Sequence, residues 1–268
     1  MPNSVIFKGK IGKFNRVISV SGDKSLSIRW VLLSSLANGI STAKNLLISE
    51  DVLAAINAIK KFGIKSKIYK NECKIFGGGL DGYKYKKKIK INAQNSGTLG
   101  RLILGLLINS PYPIKLIGDK SLSKRDFSRI TVPLSKFGAH FKLKNDKNLP
   151  LTIFGSSRLS PIKFLEKKGS AQCKTSVIFG GMRTNGTTII KAKKSRNHTE
   201  LLCKNLNLPV TVKSKKNYDE IKVKKAKILK PINYNIPSDI SSSAFFIVLT
   251  VLSYKSNLII KNVNINPS

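Results

Sequence analysis

The sequence predicts an α/β protein assembled from repeated βαβαββ units. Three observations carry that reading: a segment pattern that recurs along the chain, apolar helices that alternate with β-branched runs, and turn-forming residues at the joins. The recurring segments begin at Asp23, Asn95, Ser170 and Ser238, so the repeats are 72, 75 and 68 residues long.

Each segment opens with small polar residues and runs into an apolar helix about three turns long. Turn formers follow, at Asn38-Gly39, Pro111-Tyr112-Pro113, Asn185-Gly186 and Lys255-Ser256. A short β-branched strand comes next: STAKNL, IKLIG, TTIIKA and NLIIKNV. In the first three units a second, amphipathic helix starts near Ser49, Ser123 and Ser195, where a hydroxyl suits an N-cap. It ends near Gly63, Gly138 and Asn207, residue types that suit a C-terminal cap. Further strands close each unit. The fourth unit carries only its first helix and strand, and its next helix is expected to run on from Asn266. Periodicity therefore predicts a truncated chain, with one complete domain and a fragment of a second.

At 268 residues and 41% hydrophobic content, the chain has the material for a real core. The longest apolar run, AFFIVLTVL at residues 244–252, is too short to cross a bilayer. The first residues lack the apolar region and cleavage site of a signal peptide. A cytoplasmic protein with no membrane association is expected. Cys73, Cys173 and Cys203 form no C-x-x-C pair, and His140 and His198 are the only histidines, so neither a disulfide framework nor a metal site is suggested.

The formal charge is +36, from 49 basic and 13 acidic residues; 41 of the basic residues are Lys and 8 are Arg. Such a balance suits a polyanion binder, a basic cleft for small anions, or lysine spread over solvated faces. The lysines are scattered and no aromatic-interleaved stripe accompanies them, so no specific nucleic-acid partner is expected.

A helix N-terminus favours anions, because its first N–H groups are unpaired and its dipole is positive there. Helices starting at Lys24-Ser25, Gly97-Thr98 and Ala171-Gln172 can aim at one crevice. Ser25, Ser27, Ser96, Thr98 and Ser170 add hydroxyls, Lys24 adds an ammonium, and Arg29, Arg101 and Arg125 add guanidinium forks that hold carboxylate or phosphate bidentately. Plainer roles compete. Ser25 and Ser27 suit helix capping, Gly97 close packing, Arg29 a surface ion pair, Arg101 bracing of the fold, and His198 a cap or an ion pair near Glu200. Gln172 is the hardest to account for without a ligand.

Six motifs bear a resemblance to the enolpyruvylshikimate-phosphate synthase family, in its order and spacing: SGDKSLSIR (21–29), NSGTLGR (95–101), GDKSLSKR (118–125), SAQCK (170–174), SRNHTE (195–200) and PSDISSSA (237–244). The SAQ-x-K form is closer to the bacterial class II. The resemblance implies an inverse-prism fold of the enolpyruvate-transferase kind. It places a substrate-binding domain of three repeats at 21–235, with 1–20 and 236–268 forming an incomplete second domain that leaves an apolar face exposed. It implies transfer of the enolpyruvyl group of phosphoenolpyruvate to the 5-hydroxyl of shikimate-3-phosphate, through a tetrahedral intermediate that eliminates phosphate, with no cofactor and as a monomer when full-length. Lys24, Gly97, Arg125 and Gln172 match phosphoenolpyruvate positions. Ser25, Arg29, Ser170, Gln172 and Ser195 match shikimate-3-phosphate positions, and Lys24 matches a residue that assists charge and proton movement. His198 stands where a relative has tyrosine. Glycine at 97 implies sensitivity to glyphosate.

Ile28, Asp126 and Ser238 depart from the family pattern. The family's catalytic aspartate and glutamate would follow residue 268, so the chain alone is expected to be inactive or nearly so. Two alternatives stand beside this reading. One is UDP-N-acetylglucosamine enolpyruvyl transferase, disfavoured because Ser25 rather than asparagine follows Lys24 and no cysteine sits in an obvious loop motif. The other is a basic polyanion- or nucleic-acid-binding module.

Overall fold

Helices with no polar face dictate the architecture. The computed structural model describes residues 11–266. Expectations for residues before 11, and for a helix running on from Asn266, lie outside them. The first unit comprises β1 (Asn15–Ile18), α1 (Lys24–Ser35), β2 (Asn38–Lys44), α2 (Glu50–Lys60), β3 (Lys65–Tyr69) and β4 (Glu72–Gly78). The second comprises β5 (Ile89–Asn92), α3 (Gly97–Leu106), β6 (Ile114–Ile117), α4 (Lys120–Ser123), α5 (Ser128–Ser135), β7 (His140–Lys144) and β8 (Asn148–Phe154). The third comprises β9 (Lys163–Glu166), α6 (Ala171–Gly181), β10 (Thr187–Lys193), α7 (His198–Asn205), β11 (Val210–Ser214) and β12 (Tyr218–Lys224). After it come β13 (Asn233–Asn235), α8 (Ile240–Leu252) and β14 (Asn257–Ile260).

Three four-stranded sheets share one plan: β13-β2-β4-β3, β5-β6-β8-β7 and β9-β10-β12-β11. In each, the first two strands are parallel and the rest antiparallel. The first sheet takes its parallel strand from β13, far along the chain. The strand before α1 instead pairs in parallel with β14. The sheets lay one face on a helical interior in which α1 packs on α3 and α3 on α6, with α2, α5 and α7 beside them. A helix that is apolar on every side belongs in such an interior. Every residue from Leu26 to the end of α1 is buried, as is all of α3 and α6 from Cys173 onward. Ile28 is completely buried, so an apolar residue there fits the core it enters.

These helices start where the sequence places them. Asp23 caps α1 by accepting from Leu26 N at 2.8 Å, Ser96 caps α3 through Leu99 N, and Ser170 caps α6 through Cys173 N. Ser25 and Ser27 are therefore not the caps; Ser27 Oγ accepts from Leu47 N instead. Other boundaries need correction. Asn38-Gly39 lies inside β2, and the chain turns at Leu36-Ala37. The amphipathic helix of the second unit starts at Ser128, not near Ser123. There the Asp126 carboxylate accepts from Ser128 N and Ser128 Oγ and sets the start, while Ser123 ends the one-turn α4. In the third unit the helix begins at His198, with Asn197 rather than Ser195 at the cap position. Gly63, Gly138 and Asn207 all have positive φ, as expected of helix ends.

The three cysteines are free and buried. Helix α8 packs against β14 and shows Phe245, Val251 and Leu252 to solvent, each more than three-quarters exposed.

The crossing of α3 and α6 depends on Gly105, where a Cβ would lie 2.1 Å from the Ser176 carbonyl oxygen. A backbone atom cannot swing aside, so Gly105→Ala is expected to destabilise the fold by about 3 kcal/mol, the upper end for overpacking. Gly12→Ala, where a Cβ meets nothing within 4 Å, is the control. Denaturant unfolding of the two variants checks this; equal midpoints would show that the helices separate without cost.

Candidate active site

Because α1, α3 and α6 are enclosed, their polar groups collect at their ends. Their N-termini border two adjoining cavities. The smaller, of about 330 Å³, is lined by Ser25, Arg29, Thr98, Gly169, Ser170, Ala171, Gln172, Ser195, Arg196 and His198. The larger, of about 760 Å³, shares Ser25, Thr98, Gln172, Arg196 and His198 and extends past Lys24 to Asp239, Phe245 and Asn264. The structure thus gathers Ser25, Arg29, Ser170, Gln172 and Ser195 around one cavity and sets Lys24 on the wall of the other.

Arg29 is only 3% exposed. Its Nε donates to Thr199 Oγ1 at 2.7 Å, Nη1 to the Ser25 carbonyl at 2.9 Å and Nη2 to Thr175 Oγ1 at 3.3 Å. Among the described residues no carboxylate lies within ion-pair distance of it. Burial lowers its pKa to about 10, partly offset by Glu200 and Asp23, and at neutral pH it remains a cation. It is a buried positive charge held by neutral oxygens, not a surface ion-pair partner. Trp30, its neighbour in sequence, is buried elsewhere, with the indole N–H donating to the Ile232 carbonyl.

The Gln172 amide is fixed from both sides. Its Oε1 accepts from Arg101 Nη1 at 2.7 Å and its Nε2 donates to Thr98 Oγ1 at 3.0 Å. Arg101 also packs over the Phe127 ring, and its Nε has no partner among the described residues. Burial, then the neighbouring Arg129 and Arg125, lowers its pKa to about 10. Gly97 and Arg125 stand just outside the two cavity walls. A Cβ on Gly97 would come within 2.9 Å of Arg101 Nη1 and 3.1 Å of Arg125 Nη1, so two guanidinium groups converge over this glycine. Arg125 Nη2 donates to Asn95 Oδ1. Asp126 does not neutralise Arg125, because its carboxylate is committed to Ser128.

Lys24 is half exposed and its ammonium lies 3.0 Å from Asp51 Oδ2. Ser195 Oγ is buried and has no hydrogen-bond partner among the described residues. His198 makes no ion pair with Glu200, which instead meets Lys174. The ring Nε2 lies 3.2 Å from Asn264 Nδ2, and Asn264 also donates to Asp23 Oδ2. Burial lowers the His198 pKa, with Asp23 opposing. Ser238, the third departure, donates through Oγ to the Val20 carbonyl.

Sequence reasoning missed Arg196, Asn264 and the two threonines that hold Arg29. Arg196 bore a usable signal, an arginine in a lysine-dominated chain. Thr175, Thr199 and Asn264 bore none, because hydroxyl and amide partners across 66 to 170 residues leave no local pattern.

The family model for EPSP synthase (3-phosphoshikimate 1-carboxyvinyltransferase) matches residues 9–268. A 3-phosphoshikimate 1-carboxyvinyltransferase of Caldicellulosiruptor bescii is 38% identical over 258 residues, which is 96% of this chain and 59% of the relative. One of Streptococcus mutans is 38% identical over 251 residues, 93% of this chain and 58% of the relative. The structure of EPSP synthase from Acinetobacter baumannii superposes with a TM-score of 0.87 at 31% identity, over 97% of this chain and 58% of that one. The chain therefore spans about three-fifths of the length of the relatives it matches. With the repeats, the six motifs and the superposed fold in agreement, this chain belongs to the EPSP synthase family.

Proposed function

We propose that this chain supplies the shikimate-3-phosphate site, and part of the phosphoenolpyruvate site, of a 3-phosphoshikimate 1-carboxyvinyltransferase. The observation that carries the reading is Arg29, a buried cation with no carboxylate partner beneath a cavity edged by hydroxyls and helix N-termini. A buried charge without a counter-charge costs several kcal/mol, and an anionic ligand offsets that cost. In this reading Ser25, Ser170, Ser195 and Arg29 hold shikimate-3-phosphate, with the unpartnered Ser195 hydroxyl free to bond it. Gln172 lies between the two substrates, and Lys24, Gly97 and Arg125 meet phosphoenolpyruvate. The 5-hydroxyl of the first substrate adds to C2 of the second, and phosphate then leaves. Positioning and electrostatic stabilisation provide most of the acceleration. Release of Lys24 from Asp51 would free its ammonium for the developing charge.

We read residues 21–235 as the substrate-binding domain and assign residues 1–20 and 236–268 to a second one; the pairing of β1 with β14 and the apolar exterior of α8 support that division. A cytoplasmic location accords with the fact that no helix among the described residues is long and apolar enough to cross a membrane. The family match and the relatives' names support this reading over a UDP-N-acetylglucosamine enolpyruvyl transferase.

Calorimetric titration of the chain with shikimate-3-phosphate tests the reading, heat being the better signal because Trp30 lies off the cavity wall. Saturable binding is expected, with none for UDP-N-acetylglucosamine. Arg29→Ala is expected to weaken it about a hundredfold or more, and Arg29→Lys about tenfold, since an ammonium cannot reproduce the fork. A folded chain that gives no heat with shikimate-3-phosphate sinks the proposal.

Gly97→Ala separates the two halves of the site. The added methyl meets the ends of two guanidinium groups rather than backbone, so the fold is expected to survive with a small shift of Arg101. Affinity for shikimate-3-phosphate should stay within about twofold, while phosphoenolpyruvate and glyphosate, added to that binary complex, should bind more weakly. Equal loss for all three ligands would place Gly97 in a single shared site and refute the division.

A further inference from the structure

Below the smaller cavity lies a buried ion pair with no part in the reading so far. Lys174 is fully buried in α6 and Glu200 nearly so in α7, with Nζ 2.6 Å from Oε1. The pair adjoins, in sequence, the hydroxyls that hold Arg29. Lys174 precedes Thr175 and Glu200 follows Thr199, the two residues whose hydroxyls accept from the Arg29 guanidinium and lie 2.7 Å from each other. Among the described residues neither Glu200 oxygen has a hydrogen-bond partner; Oε1 meets Lys174 as an ion pair, and Oε2 keeps an acceptor to spare. Of the charges that raise the Arg29 pKa, Glu200 acts most strongly. Lys174 Nζ also donates to the Ser195 carbonyl at 3.4 Å, which ties the same ammonium to the loop that presents Ser195.

A guanidinium prefers a carboxylate to a hydroxyl, because the carboxylate brings an opposite charge and accepts two parallel bonds. Arg29 nevertheless bonds two threonines and a carbonyl while a carboxylate with a spare oxygen lies one residue away. Something must restrain that carboxylate, and Lys174 is the cation in contact with it. We propose that Lys174 is a positioning residue that holds the Glu200 carboxylate off Arg29, so that the guanidinium stays open to an anionic ligand. Three buried groups then carry a net single positive charge, which the ligand neutralises. The inference rests on the reading that Arg29 receives shikimate-3-phosphate.

The test compares the full chain with Lys174→Met, Lys174→Gln and the double variant Lys174→Met/Glu200→Gln, by titration with shikimate-3-phosphate and by crystallography. Lys174→Met is expected to lose about tenfold to a hundredfold in affinity, as Glu200 turns to Arg29. The double variant should bind within about threefold of wild type, because no carboxylate is left to compete. That rescue is the readout a merely structural pair would not give. Unchanged affinity in Lys174→Met overturns the proposal, as does a double variant no better than the single. If Lys174→Met does not fold, Lys174→Gln replaces it; if neither folds, the pair serves stability and the proposal fails. Should wild type itself not bind shikimate-3-phosphate, the functional reading falls. The crystal structure of the single variant then still decides: Glu200 within 3.5 Å of the Arg29 guanidinium sustains the inference, and Glu200 in its present place ends it.

Discussion

Enclosure of three helices on every side is the constraint from which the site follows. A helix inside a core can bury its backbone only because its own hydrogen bonds satisfy it, and the four groups at each end remain unsatisfied. In α1, α3 and α6 polar groups away from those ends need partners of their own, as Arg101, Thr175 and Ser176 have. At the N-terminal ends Asp23, Ser96 and Ser170 take up some of the free N–H groups, and the cavities open beside them. At the other ends Gly77 lets its strand approach the Ser34 and Ala37 carbonyls, and Arg183 links the Leu80 carbonyl with Asn109 and Asp81. A cavity of about 820 Å³ opens there too, beside Leu80, Asp81, Asn109 and Arg183.

The charges at the N-terminal ends divide into two kinds. Lys174 has its carboxylate and is electrically spent. Arg29 and Arg101 have neutral partners: threonine hydroxyls and a carbonyl for one, the Gln172 amide for the other. Neutral acceptors orient a guanidinium without cancelling its charge, so the positive potential is kept for a ligand. Desolvation lowers the pKa of both arginines, which is the expected sign of a cation held ready in a dry place. An arginine withstands that treatment because its unperturbed pKa is so high, whereas a lysine under the same burial is far closer to losing its proton.

Much of this was legible in the sequence. Repeat spacing located the helices, and the small polar residues before them located the cavity, because capping and dipole rules are local. The rest depends on contacts that no local pattern records. The first sheet borrows β13 from some 190 residues away, and β1 defects to β14, so the unit that looks self-contained is not. The start of α5 moved because Asp126, a departure from the family pattern, is a turn former whose carboxylate is drawn into Ser128. Arg29 was recognisable as a candidate, yet whether it paired with a surface acid or stood alone depended on Thr175 and Thr199, from a different repeat.

The same division explains why the net charge of +36 says little about function. Most of the 41 lysines lie on solvated faces, where ions screen them within about 10 Å. Their field raises the local concentration of any anion, without regard to shape. Selection of one anion needs a cation that water does not already satisfy, fixed in direction and matched by hydroxyls at hydrogen-bonding distance. Arg29 beneath Ser25, Ser170 and Ser195 meets those conditions, and it does so with one guanidinium. Where a charge stands, and what it has been prevented from pairing with, therefore decides more about recognition here than how many charges the chain carries.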